Sequence, residues 1–239
     1  MFFGGRPQCL IDAPSDLGWN DSLGHLPADG EGNSCRFDAH CLCGERIAMT
    51  ETGLPGVHLF EPSVFGDERG FFLETFRRSA LDEADIGADF VQHNHSRSQR
   101  GVLRGLHYQL VQPQGKLVRC ARGRIFDVAV DIRRGSESFG QWFGAVLDDG
   151  AHRQLYVPPD FAHGFLVLSE VADVIYKCTD YYHPDSEAGI AWDDREIGIE
   201  WPLEEIGGEV GLSDKDREHP TLAEQDWLPD FRWGDRRHR

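Results

Sequence analysis

Lysine is scarce in this chain: only three of its 24 basic residues are lysines, Lys116, Lys177 and Lys215, and the rest are arginines. Basic residues as a whole are outnumbered by 41 acidic ones, which gives a formal net charge of −17. A surface of that sign repels phosphate backbones and anionic lipid headgroups, so nucleic-acid and membrane-surface roles are set aside. An anionic small-molecule substrate would need its own local cluster of arginines. Also missing is any apolar run approaching the roughly 20 residues of a membrane-spanning helix. The opening residues MFFGGRPQCL have neither the basic start nor the apolar stretch of a secretory signal. A cytoplasmic location is therefore expected, with the six cysteines as free thiols rather than a disulfide framework.

Helical periodicity is scarce too, the one plausible helix being SALDEADIG at 79–87. What is present is alternation. IFDVAVDI (125–132) puts Phe126, Val128, Val130 and Ile132 on one face of a strand and Asp127, Ala129 and Asp131 on the other. FLETF, KLVRC, QWFGAVL, RQLYVPP, HGFLVLS and DVIYKCTDYY repeat the pattern between Gly-rich turns. Many short strands with few helices predict an all-β sandwich or barrel and exclude a Rossmann or TIM architecture. Residues 1–48 show neither period and are rich in Gly, Asp, Pro and Ser. They are expected to form a disordered extension, with the working domain and a C-terminal tail spanning 49–239. A zinc site from Cys35, His40, Cys41 and Cys43 is the rival for that segment, but no paired C-x-x-C supports it.

The chemistry centres on GVLRGLHYQL. Strict alternation would place Arg104 and His107 on opposite faces, and a bulge at Gly105 would bring both into one cavity. A lone histidine in a β core is commonly structural, so partners decide. Lys116 opens the strand KLVRC, His163 follows the turn PPDFA, and Tyr176 in VIYKCTDYY shares strand parity with Cys178 and Tyr182. A histidine base, a tyrosine acid and a lysine or histidine beside a carbonyl oxygen suit proton transfer α to a ketone. A metal-dependent reading wants a second histidine two places after His107, where Gln109 stands. His93 and His95, with His163, are the substitute ligand set. No metal is expected, because a metal-bound imidazole cannot act as a base.

FGDERGFFLETF, QHNHSRSQRGVLRGLHYQ, QGKLVRCARGRIFDVAVDIRRGSESFGQW, PPDFAHGFLVLSE, YKCTDYY and AWDDREIGIEWP together resemble, in order, the dTDP-4-dehydrorhamnose 3,5-epimerase family over residues 57–225. The resemblance implies a cupin-like jelly-roll barrel with few short helices, a homodimer, and no cofactor. It implies epimerisation at C3 and C5 of dTDP-4-dehydro-6-deoxy-D-glucose, acidified by the C4 ketone. In that reading His107 is the base, Asp216 the carboxylate that orients it, Tyr176 the acid on the opposite face, and Lys116 and His163 stabilise the enolate oxygen. Arg69 and Arg104 match the diphosphate-binding arginines, with Glu74, Gln92 and Asn94 nearby. Tyr182 resembles the aromatic that stacks on thymine, and Glu187 and Lys215 match further ligand contacts. His93 stands where an acidic residue is expected and would face the nucleotide. The alternatives are a single-position 3- or 5-epimerase or a ketoisomerase of antibiotic-sugar biosynthesis, and, outside enzymes, a sugar-nucleotide-binding sensor.

Overall fold

The structure, a computed structural model, describes residues 47–231. In chain order its elements are β1 (Ile47–Glu51), β2 (His58–Pro62), β3 (Val64–Asp67), β4 (Gly70–Leu73), α1 (Arg78–Glu83), β5 (Gln92–Gln99), β6 (Leu103–Gln109) and β7 (Lys116–Arg122). There follow β8 (Arg124–Asp131), β9 (Trp142–Asp148), β10 (Gln154–Val157), β11 (Phe161–Val167), β12 (Val171–Cys178), β13 (Glu187–Gly189) and a one-turn α2 (Asp214–Arg217). The strands form a six-stranded sheet, β1-β2-β10-β7-β12-β5, and a five-stranded sheet, β13-β6-β11-β8-β9, with β3 and β4 as a separate hairpin. The pairs are antiparallel, as in the β6–β11 and β7–β12 ladders. This is a jelly roll of two stacked sheets, the all-β architecture expected from the alternation.

Three apolar layers hold it. Between the sheets, Val118, Leu155 and Val174 of one meet Ile125, Ala129 and Leu147 of the other. The outer face of the five-stranded sheet carries Leu106, Val128, Val130 and Leu166 and is covered by the C-terminal segment through Ile197, Trp201 and Leu222. The outer face of the six-stranded sheet, at Phe60, Leu117 and Tyr156, is covered by Ala80 and Leu81 of α1 and by Ala84 just after it. The alternation in IFDVAVDI therefore reads correctly, but both of its faces are interior. Phe126, Val128 and Val130 pack under the C-terminal segment, while Asp127 and Ala129 point between the sheets.

The expected helix 79–87 is shorter than its sequence pattern: α1 ends at Glu83, and Asp85 takes a left-handed φ of 57° that closes the turn. β1 takes in Ile47 and Ala48, the last two residues of the segment expected to lack order. The rest of that segment, with Cys35, His40, Cys41 and Cys43, lies outside the described residues.

Candidate active site

Gly105 sets up the site. Four residues of β6, Arg104 to His107, oppose three of β11, His163 to Phe165, so β6 is bulged there. Leu103, Leu106 and Tyr108 consequently share the face under the C-terminal segment, which leaves Arg104 and His107 on the other, inter-sheet face. The bulge needs glycine: Gly105 has φ +130°, and a Cβ there would lie 2.5 Å from the Cα of Gly164.

His107 lines a pocket with Gln109, Gln114, Lys116, Tyr182 and Glu187. Its Nε2 lies 2.6 Å from Oδ1 of Asp216, a buried carboxylate on α2. Ser213 caps α2 by accepting a bond from the Asp216 amide at 3.1 Å. Burial works to raise the Asp216 carboxyl, but the His107 hydrogen bond and charge outweigh it and hold the group below its usual range. With Nε2 committed to Asp216, Nδ1 of His107 is the nitrogen left to take a proton.

His163, the cross-strand neighbour of His107, makes a second histidine–carboxylate pair with its Nε2 2.9 Å from Oδ1 of the fully buried Asp127. Oδ2 of Asp127 has no hydrogen-bond partner in the protein. Sequence reasoning missed Asp127 because alternation grouped it with Ala129 and Asp131, and nothing in the period says which face is interior. Lys116 opens β7 on the facing sheet. Burial pulls its ammonium pKa down, while Cys178, Glu187 and Asp127 act in the opposite direction.

Tyr176 lies on β12, also in the sheet facing His107, paired with Val118 and Asn94. Burial raises its phenol pKa; Cys178 and Glu187 raise it further and the Arg104 charge opposes. Arg104 donates to the Ser98 hydroxyl at 3.0 Å. Gln92 and Asn94 share the Tyr176 side of β5, with Gln92 Nε2 3.2 Å from Asn94 Oδ1. Gln92 also accepts from the Tyr182 backbone amide at 2.9 Å. The expected strand parity of Tyr182 does not hold, since β12 ends at Cys178 and Tyr182 stands in the loop beyond it. It is nonetheless at the pocket: its hydroxyl donates to Glu187 at 2.7 Å, and that bond raises its pKa to about 12. Glu187 also pairs with Lys215.

Three expectations are corrected or left apart. His93 does not accompany Gln92 and Asn94: β5 alternates regularly, so it lies on the opposite face beside Lys177, 3.3 Å away. His95 on that same outer face meets Asp173 at 3.3 Å, and His163 is buried against Asp127 in the other sheet, so the structure does not gather His93, His95 and His163 as ligands. Arg69 and Glu74 lie at and just after the β3–β4 hairpin, bonded to Asp67 and Arg77, rather than among the pocket-lining residues.

The chain is similar to known proteins in sequence and in fold. A family model described as dTDP-4-dehydrorhamnose 3,5-epimerase matches residues 51–224. The enzyme of that name from Pseudomonas aeruginosa is 53% identical over 184 residues, 77% of this chain and all of the relative. A crystal structure of a dTDP-6-deoxy-D-glucose-3,5-epimerase from Legionella pneumophila, in complex with dTDP-4-keto-L-rhamnose, is 49% identical with a TM-score of 0.75, covering 78% of this chain and 99% of that one. A 3'-monoepimerase from Streptomyces bikiniensis, solved with dTDP-quinovose, is 35% identical with a TM-score of 0.68, covering 73% of this chain and 89% of that one.

Proposed function

The chain belongs to the dTDP-4-dehydrorhamnose 3,5-epimerase family, and from that membership we propose how its residues epimerise dTDP-4-dehydro-6-deoxy-D-glucose at C3 and C5 to dTDP-4-dehydro-L-rhamnose. The observation that carries the assignment is the 2.6 Å pair of His107 and Asp216 at the pocket. A base must gain a proton, and an ionised carboxylate beside it fixes the ring and stabilises the imidazolium that forms. Nδ1 of His107 removes the protons at C3 and C5, each made acidic by the ketone at C4.

Removing that proton pushes charge onto the C4 oxygen. Lys116 and His163 stabilise it there, and since the charge exists only on the way to the enolate, their contribution goes to the transition state. Tyr176 returns a proton from the opposite side; its place on the facing sheet and its raised pKa, which keeps the phenol protonated at neutral pH, suit a general acid. No cofactor is needed, because the substrate's own ketone supplies the acidity. Arg104 meets the diphosphate as local positive charge in an acidic protein. Tyr182 stacks on the base, with Gln92, Asn94, Glu187 and Lys215 around the nucleotide.

The protein acts as a cytoplasmic homodimer in this reading. Phe65, Phe71 and Phe72 on the β3–β4 hairpin are 46%, 62% and 53% exposed, an apolar group that a partner subunit would cover. Arg69 and Glu74 travel with that hairpin, so their ligand contacts depend on where it docks. Among the described residues no helix is long and apolar enough to cross a membrane.

Incubation with the keto-sugar nucleotide in deuterium oxide tests the reaction. Deuterium at both C3 and C5 is expected, and incorporation at one carbon only would make the protein a single-position epimerase. His107→Ala should abolish exchange while leaving nucleotide affinity within a few-fold, since a base acts on the transition state more than on binding. Wild-type protein that binds the nucleotide sugar yet exchanges neither proton would be a sensor.

A further inference from the structure

His219 is the histidine beside the site that the proposed reaction does not use. Its ring stands edge-on to His107, with centroids 5.5 Å apart and planes at 89°. Both of its nitrogens are shielded from solvent and neither bonds a protein group, an unusual state for buried polar atoms. The slot it occupies exists because residue 189, the cross-strand partner of His107, is glycine; a Cβ there would run into the His219 ring. One nitrogen of His219, one of His107 and a carboxylate oxygen of Asp216 lie within 4.8 Å of one another, the one His/Cys/Asp/Glu group so spaced among the described residues.

We propose that His107, Asp216 and His219 form a binding site for a divalent ion of the zinc class, and that the ion switches the enzyme off by occupying the base. The second half rests on the role assigned to His107 above. Two imidazoles and one carboxylate are a borderline donor set that suits Zn²⁺ and its transition-metal neighbours rather than Mg²⁺ or Ca²⁺, which require oxygen cages. The ion takes Nε2 of His107 in place of the hydrogen bond to Asp216, and the displaced proton moves to Nδ1, so the nitrogen that removes the sugar proton is already filled while the ion is bound. Bonds of about 2.0–2.2 Å to each ligand need the His219 ring to move inward by roughly 1 Å. Lys215, the lysine whose charge acts on His219, is matched by its partner Glu187. The protein's net charge of −17 draws cations to its surface.

The test uses the full chain, stripped with a chelator and assayed by sugar-proton exchange in zinc-buffered solution. Micromolar Zn²⁺ should slow the wild type at least about tenfold, a chelator should restore it, and millimolar Mg²⁺ should have no effect. His219→Phe fills the slot without a ligand, and His219→Gln keeps a polar side chain of similar reach. Both should keep the zinc-free rate within about threefold and need about tenfold or more zinc for the same inhibition. Co²⁺ reports the site independently: the spectrum of the wild type minus that of His219→Phe should show visible cobalt bands without a thiolate charge-transfer band. That difference separates this site from any ion held by Cys35, Cys41 or Cys43. Wild type indifferent to zinc, equal inhibition of both variants, or a thiolate band in the difference spectrum would each overturn the proposal. If the stripped wild type exchanges no sugar proton, the epimerase reading fails, while the cobalt difference spectrum still decides whether the metal site exists.

Discussion

Asp216 reaches His107 from 109 positions further along the chain, and no spacing rule joins a strand residue to a carboxylate on a one-turn helix so distant. The alternation marks His107 as unusual, whereas Asp216 is marked by the family resemblance alone. Asp127 shows the opposite failure, since it sat in the most legible strand of the chain and still could not be placed inside. Asp216→Asn keeps the shape of the pair and removes the charge that stabilises imidazolium; kcat should fall about 100-fold or more with KM within a few-fold. Equal losses in kcat and in affinity would instead make Asp216 a scaffold residue. Lys116 carries a pH prediction. Burial lowers its pKa from 10.5, so the ammonium is lost at lower pH than in free lysine, whereas Tyr176 is shifted upward and keeps its proton. The alkaline fall in kcat should therefore lie below the ordinary lysine range and follow Lys116. In Lys116→Arg, which cannot lose its charge, that fall should move to higher pH even if the maximum rate is lower; an unchanged alkaline limb would acquit the lysine.

Elements were legible where a periodic signal met a turn residue whose geometry has one cause. Gly105 inside LRGLH announced a bulge, and the bulge is what turns Arg104 and His107 to one side. Boundaries set by tertiary fit were not legible: α1 stops early at the left-handed Asp85, and β12 stops before Tyr182, whose position comes from Gln92 and Glu187 rather than from strand parity. Gly105→Ala tests the bulge. The new methyl meets the backbone of Gly164 in the adjacent strand and sits at a positive φ, so about 2–4 kcal/mol of stability should be lost. Because the residue sits two places before His107, proton exchange should fall further than nucleotide binding. A variant as stable as wild type by denaturant unfolding would show that the β6–β11 ladder tolerates a side chain there.

At the scale of the molecule, the acidic composition and the proposed role of Arg104 belong together: a net charge of −17 works against polyanions, so an anionic substrate has to meet its positive charge locally. The same scale poses the question of residues 1–46. Among the described residues, Ile47 to Phe231, each of the three apolar layers has residues on both of its sides, and the family match begins at residue 51. We propose that a protein starting at Ile47 folds, dimerises and turns over like the full chain. Starting at Met49 removes two β1–β2 pairs and the buried Ile47, which costs about 1–3 kcal/mol of stability by lost apolar burial but touches no residue of the pocket. Its melting temperature should therefore drop while kcat/KM at moderate temperature stays the same. Oligomer mass and kcat/KM for the three lengths decide the matter. A protein starting at Ile47 that is monomeric, or more than about tenfold slower, roughly 1.4 kcal/mol of transition-state stabilisation, would mean that the first 46 residues belong to the working enzyme.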